Sequence, residues 1–404
     1  MSKKILLLGG SGYAVPVINM AHKLGCEVIT CDYLPDNTAH QYSDGYENIS
    51  VADRDAVLQA ARRRKIDGVM SFACDPGVVT AAYVAEKMGL PFQCSYESAC
   101  ILQDKGLFRQ FLKENHFNTP NAGKYYGADV PYRDLDYFNW PVIVKPSDSA
   151  GSKGVSKVTE PSGLKEAIER ALPYSASGSY IIEDFLEFQG YHSSADVFCA
   201  EGKMQFITFS DQMFDTDAEN GYVPSMIIWP ATMEREYQQY LSREIQRLTK
   251  LLHLSDGIYN IETCIDVRGI PYLMEVSPRG GGCRIAEIEQ LSMGVELIEN
   301  EVRSCAGMPL LRLCSHEPDG HWCEMVIHAA GGQSGLFKEL EIDAKVRQRY
   351  VKALHVSAEK GDAVHPFTGA GMSLGDMFLR FESRDELDRI MAHSSEWLKI
   401  RMLS

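Results

Sequence analysis

Residues 259–279 read Tyr259-Asn260-Ile261-Glu262-Thr263-Cys264-Ile265-Asp266-Val267-Arg268-Gly269-Ile270-Pro271-Tyr272-Leu273-Met274-Glu275-Val276-Ser277-Pro278-Arg279. Two alternating, apolar-rich runs flank Arg268-Gly269, the pattern of a β-hairpin. With those two residues as the loop, pairing is symmetric about them: Glu262 falls opposite Glu275 and Asn260 opposite Ser277. Ile261, Thr263 and Ile265 then face the other side with Met274 and Val276. Facing Cβ atoms lie about 5 Å apart, a spacing at which carboxylates repel. Either an exposed, solvated acidic face or a divalent cation held by oxygen ligands accounts for such a pair. A one-residue slip in register would send the two glutamates to opposite faces. Arg279, just past Pro278, is placed to reach the same site.

Upstream, Val142-Ile143-Val144-Lys145-Pro146 is a short strand ending in lysine, followed by a loop of small residues that includes Ser147, Ser149, Gly151, Ser152 and Gly154. Small side chains let backbone N–H groups approach phosphate oxygens, and a lysine at the strand end adds a point charge. A flexible surface loop has the same composition. No Gly-x-x-x-x-Gly-Lys-Ser/Thr is present, so this is not a Walker loop.

The first hundred residues alternate strand and helix. Ile5–Leu8 leads into Gly10-Ser11-Gly12-Tyr13-Ala14-Val15 and a helical pattern, with a strand at 27–31. Helix at 53–64, strand at 68–72 and helix at 77–88 follow, as in a parallel sheet with covering helices. The glycine turn, with Asp32 about twenty residues on, is reminiscent of a dinucleotide fingerprint, but Val15 occupies the third glycine position. Asp75, after a strand of this region, sits where α/β domains place ligand loops. Further on, helices are expected at 99–115, 164–172, 234–252 and 384–398, with strands at 180–183, 324–328 and 378–382.

The chain has 404 residues, 45% hydrophobic and 24% charged, which sets aside disorder and predicts two to four domains. A net charge of −15 argues against a nucleic-acid partner. Eleven cysteines, an odd number without a Cys-x-x-Cys pair, read as reduced thiols of a cytoplasmic protein. Lys3-Lys4 precedes only a four-residue apolar run before Gly9, so neither a signal peptide nor a membrane span is expected.

Taken in order, these residues resemble the ATP-grasp family, in the style of its biotin carboxylase, purine-biosynthetic carboxylate ligase and amino-acid ligase branches. The resemblance implies an α/β protein, α+β in its central part. Its parts would be a Rossmann-like preATP-grasp domain (1–98), an ATP-grasp domain (99–308, flap subdomain about 122–188) and a small C-terminal α+β domain (309–404). It implies ATP and Mg²⁺ or Mn²⁺, two ions in all, on Glu262, Glu275 and Ser277, the last standing where the family often has asparagine. Lys105, in Gln103-Asp104-Lys105-Gly106, and Lys145 match the two phosphate-binding lysines, and 147–154 matches the flap. Glu183, Asp184, Phe185 and Leu186 match the adenine segment. His192 stands where a glutamate commonly holds the ribose, and Arg279 matches the arginine that steadies the transferred phosphoryl group. Gly281, Gly282, Arg284 and Asp75 are candidates for the acceptor, Arg284 as a carboxylate clamp or equally as a solvated loop residue.

The activity implied is an ATP-dependent ligase that activates a carboxylate as an acyl phosphate and joins it to an amine, with ADP and phosphate released. Its partners would be small molecules, without nucleic acid or membrane, and a homodimer is compatible with the family. Bicarbonate activation through carboxyphosphate, a catalytically silent nucleotide-binding module and, at a distance, an NAD-dependent oxidoreductase are the alternatives.

Overall fold

The run Ile5–Leu8 lies in a strand, Lys4–Leu8, near the centre of a four-stranded parallel sheet. The sheet is ordered Gly45–Asn48, Glu27–Asp32, Lys4–Leu8, Gly68–Ser71 in the computed structural model, which describes residues 2–149 and 151–403. Both faces of this sheet are covered, the usual condition of parallel strands. Ile5 and Leu7 pack with Val17 and Ile18 of the helix Val15–Lys23, while Leu6 and Leu8 pack with Val57 and Ala81 of the helices Arg54–Arg64 and Asp75–Met88.

Two antiparallel sheets follow, the α+β character expected of the central part. One is ordered Ala122–Tyr126, Ser179–Asp184, Val142–Pro146, Ser156–Val158, with the helix Leu164–Ala171 on its apolar face. The other is ordered Lys203–Phe206, Ser193–Ala200, Gly257–Ile265, Pro271–Ser277 and packs on the helix Arg235–Leu251 through Leu241, Ile245 and Leu248. A five-stranded sheet then joins Asp211–Phe214 and Pro224–Trp229 to His321–Ile327, Gly375–Phe381 and Val351–Val356, so strands from either side of residue 309 share one sheet. Gly335–Ile342, Ala363–Val364 and Leu398–Met402 form a small outer sheet. All eleven cysteines are unpaired. Among the described residues no helix is long and apolar enough to cross a membrane.

Two expected helices are divided. The stretch 99–115 is two helices, Tyr96–Gln103 and Lys105–Glu114, separated by Asp104 in extended conformation (φ −109°, ψ 113°). The Asp104 carboxylate accepts from the Leu107 amide at 2.9 Å and pairs with Lys124 at 2.5 Å. An aspartate whose side chain bonds the amide three residues on is an N-cap, and here capping prevails over the helical periodicity that runs through it. The break sets Lys105 at the first position of a helix rather than along one. The stretch 384–398 is likewise Arg384–Met391 and a short turn Ser394–Trp397, whose chain then continues into the outer sheet.

The glycine turn after the first strand is covered by the chain itself. A side chain at Gly10 would meet Asn37 and His40 at 2.8 and 2.7 Å, and Gly10 O accepts from the Ala39 amide. Residues 37–40 thus pack directly against the turn.

Asp104→Ala should open the first turn of the Lys105 helix, with a loss of about 1 kcal/mol from the cap. Hydrogen-exchange mass spectrometry should show faster exchange over 105–108 while the strand Lys4–Leu8 keeps its protection; unchanged exchange at 105–108 would refute the role given to the cap.

Candidate active site

Glu262 lies opposite Glu275 and Asn260 opposite Ser277, the expected register. The path to it differs. The hairpin loop is five residues long, 266–270, closed by the Asp266 carboxylate, which accepts from the amides of Arg268 and Ile270, each at 2.9 Å. A bulge between Glu262 and Thr263 then shifts the pairing so that Thr263 faces Leu273. The longer loop moves the register by one residue and the bulge moves it back. One expectation is corrected as a result. Met274, the extra residue, joins Leu186, Cys264 and Tyr272 beside Phe188, whereas Ile261, Ile265 and Val276 pack beneath the sheet.

Four basic side chains surround the glutamate pair. Lys105 donates to Ser149 O at 2.7 Å and stands 3.8 Å from the Glu275 carboxylate. Lys145 donates to Glu183 at 2.5 Å, and the other oxygen of Glu183 accepts from Arg109 Nε at 2.9 Å. Arg109 also donates to Met274 O at 2.8 Å, tying helix to hairpin. Arg279 grips Asp75 with two bonds, Nε to Oδ1 at 2.7 Å and Nη2 to Oδ2 at 2.8 Å. Ser277 Oγ donates to the same Asp75 at 2.9 Å and accepts from Gln103 Nε2 at 3.0 Å.

These environments set the charges. Burial, and next the facing Glu275, push Glu262 up, opposed by Lys105, Arg279 and Lys145. Burial alone would raise Glu183 as well, but Arg109 and Lys145 hold it down at about 2. Burial brings Lys145 below the ordinary lysine range, against the pull of Glu183. Asp75 is held low by Arg279 against its own burial. Unlike Glu183 and Asp75, Glu262 and Glu275 make no hydrogen bond to a guanidinium among the described residues.

The remaining sequence candidates divide. Ser147 is fully buried with its hydroxyl bonded to Ser179 Oγ at 2.5 Å, so its side chain is spent inside the sheet. Gly151, Ser152 and Gly154 have φ of 71°, 55° and 69°, a left-handed loop, and the Ser152 hydroxyl donates to Tyr222 O at 2.8 Å. Ala150 of the same loop lies outside the described residues. The Asp184 carboxylate accepts from the Asn139 amide at 2.8 Å and from Asn121 at 3.0 Å, and the Phe185 amide donates to Pro141 O, so both anchor the neighbouring turn. His192 meets Phe188 edge to face, ring centroids 3.9 Å apart at 66°, and burial lowers it to about 4, which keeps it neutral. Gly281 donates its amide to Asp196 at 2.9 Å. Arg284 is turned toward Glu287, at 2.8 Å, rather than toward open solvent.

Arg109, Gln103 and Asp196 are site residues that the sequence reading missed. Arg109 carried a signal: it is four residues from Lys105 on one helix, hence on the same face. Gln103 and Asp196 carried none, since each acts through a contact distant in sequence.

A four-stranded antiparallel sheet with its flap loop, facing a second sheet whose hairpin bears two opposed glutamates, beside a parallel N-terminal sheet, is the ATP-grasp fold. Residues 138–287 match the family model described as ATP-grasp domain. Among curated relatives, the formate-dependent phosphoribosylglycinamide formyltransferase of Synechococcus sp. (strain WH7803) is 32% identical over 188 residues, 46% of this chain and 48% of that one. The chain spans about half the length of the curated relatives it first matches. Among solved structures, L-amino acid ligase from Bacillus licheniformis superposes with a TM-score of 0.80 at 19% identity, over 100% of this chain and 99% of that one. Phosphoribosylglycinamide synthetase from Anaerococcus prevotii gives 0.79 at 17% identity over 100% of both chains.

Glu183→Gln should leave Arg109 and Lys145 buried beside a neutral group, at a cost on the order of 3 kcal/mol at neutral pH. A carboxyl held below its ordinary 4.5 contributes above that value and loses the contribution as pH falls toward 2. The gap in melting temperature between wild type and variant should therefore close between those pH values; a gap constant with pH would contradict the assignment.

Proposed function

We propose that the protein is an ATP-dependent ligase that activates a carboxylate as an acyl phosphate and transfers the acyl group to an amine. The observation that carries this is the Glu262–Glu275 pair, opposed across a hairpin and ringed by Lys105, Lys145 and Arg279. Two facing carboxylates among cations suit a small divalent ion that takes its other ligands from water and substrate phosphates. Bound there, Mg²⁺, in two ions on this reading, would neutralise phosphate charge; Glu262 and Glu275 would hold it, with Ser277 steadying Asp75 beside them.

A carboxylate oxygen of the substrate attacks the γ-phosphorus of ATP, the bond from that phosphorus to the β-bridging oxygen breaks, and ADP leaves. The amine nitrogen then attacks the acyl carbon, the carbon–oxygen bond to phosphate breaks, and the nitrogen gives up a proton. Lys105 and Lys145 offset charge on the phosphates. Arg279, fixed by Asp75, offsets charge on the transferred group, as positioned cations do in phosphoryl transfer. The loop at 147–154 closes over the phosphates and keeps water from the acyl phosphate. Met274, Leu186 and Phe188 offer an apolar slot for a base, and neutral His192 is beside it to meet a ribose hydroxyl. On this reading residues 1–98, 99–308 and 309–404 are the three parts of a cytoplasmic, homodimeric enzyme acting on small molecules.

Glu275→Gln should lower ATP turnover by at least about a hundredfold. Its side chain is one-third exposed, so the fold should be retained. The screen that checks this is phosphate release with Mg²⁺ and ATP across amino acids and small carboxylates, alone and paired with amines. Release that depends on a carboxylate and an amine together supports the reading. Release with bicarbonate alone would move the assignment to a carboxylase, and nucleotide binding without any release would make the protein a silent binder.

A further inference from the structure

The loop 147–154 is tied down near its far end by residues outside the glutamate cluster. Ser152 has a φ of 55°, a conformation that few residues other than glycine adopt. A serine persists there when its surroundings hold it by more than one contact. Two are present: the Ser152 hydroxyl donates to Tyr222 O at 2.8 Å, and Ser152 O accepts from Asn220 Nδ2 at 3.3 Å. Side chain and main chain of one residue are thus gripped by the same hairpin loop, which joins the strands Asp211–Phe214 and Pro224–Trp229.

Asn220 also reaches a third segment. Its Nδ2 donates to Thr368 O at 3.1 Å, its Oδ1 accepts from the Tyr222 amide at 3.1 Å, and its main-chain amide donates to Phe367 O at 3.3 Å. These two loops are firmly seated. Phe367 is buried with Val223 and Val326 and stacks on His328, ring centroids 4.0 Å apart. Cys283, on the turn that follows Arg279, packs on the same cluster. At the start of the flap loop, Asp148 accepts from the Ser175 hydroxyl at 2.7 Å and the Ser177 amide at 2.8 Å, while Lys105 holds Ser149 O. The root of the flap is therefore anchored beside its own sheet, and its tip on loops of the five-stranded sheet.

We propose that Asn220 and Ser152 form a latch that holds the flap shut over the nucleotide phosphates, with Asn220 a positioning residue of the nucleotide site. This rests on the ligase reading, which gives the flap its role. It adds that the flap is held by the loops at 215–223 and 366–369 as well as by the phosphates. The Ser152 hydroxyl, spent on Tyr222 O, then serves as a latch contact rather than a phosphate ligand.

Two variants test the latch in the full chain. Asn220→Asp keeps the size of the side chain and the oxygen that meets the Tyr222 amide, but it removes the donor to Ser152 O and Thr368 O. Ser152→Ala removes the hydroxyl alone. The probe is fluorescent mant-ADP with Mg²⁺, followed by stopped flow. Release should be at least about tenfold faster in Asn220→Asp and about threefold faster in Ser152→Ala, with association rate and melting temperature close to wild type. At saturating ADP and Mg²⁺, tryptic cleavage after Lys153, an exposed flap residue, should accelerate in the same order. A residue serving the fold alone would lower the melting temperature and leave release unchanged. Should Asn220→Asp unfold, Ser152→Ala decides by the same two readings. Uptake of mant-ADP with release and cleavage at wild-type rates in the variants overturns the latch and leaves the ligase reading standing. Wild type that takes up no mant-ADP overturns the ligase reading, and with it the latch's role toward nucleotide.

Discussion

The register of one hairpin governs the centre of this molecule. Glu262 and Glu275 meet because a five-residue loop and a single bulge offset one another. Everything else in the cluster is arranged around the charge that this meeting concentrates. Were either device absent, the period-two alternation of a strand would carry one glutamate to the opposite face, among Ile261, Ile265 and Val276. The bulge does a second thing by turning Met274 to the same side as the glutamates, beside Leu186 and Phe188. One local irregularity thus shapes both the polar and the apolar parts of the cleft.

The basic residues are held by buried acids rather than left to solvent. Asp75 fixes Arg279 from the helix Asp75–Met88, and Glu183 joins Arg109 to Lys145. Buried ion pairs of this kind add little net stability once desolvation is counted. Their effect here is geometric. Arg109 binds Met274 O and Glu183, so the helix Lys105–Glu114, the strand Ser179–Asp184 and the hairpin are fixed to one another by two side chains and one main-chain carbonyl. Such preorganisation is what positioning catalysis requires, because cations already in place need no rearrangement when charge develops.

Much of this was legible in the sequence, for identifiable reasons. The alternating apolar runs gave the N-terminal sheet, and the symmetric spacing of Glu262 and Glu275 about Arg268-Gly269 gave the correct pairing at the glutamates. That pairing came from a loop of the wrong length, because the five-residue loop and the bulge cancel. The division of 99–115 was hidden by helical periodicity that runs unbroken through Asp104, although the aspartate itself is a capping residue. Asp75 was recognised as a loop residue near a ligand, but its bidentate hold on Arg279, 204 positions away, belongs to the tertiary fold. The flap serine Ser147 reads like its neighbours, and only its packing against Ser179 sets it apart. The net charge of −15 set aside a polyanionic partner but was silent on a nucleotide, because a total says nothing of cations gathered locally, as Lys105, Lys145 and Arg279 are about the glutamate pair.

The central claim is that the opposed glutamates hold a divalent ion against nucleotide phosphates. A crystal structure of the chain grown with ADP and Mn²⁺, read for anomalous scattering, tests it most directly. The account predicts a manganese peak between the Glu262 and Glu275 carboxylates, with the ADP phosphates beside Lys105 and Lys145 and the adenine over Met274. Nucleotide bound elsewhere, or bound here with no metal at either glutamate, would contradict it.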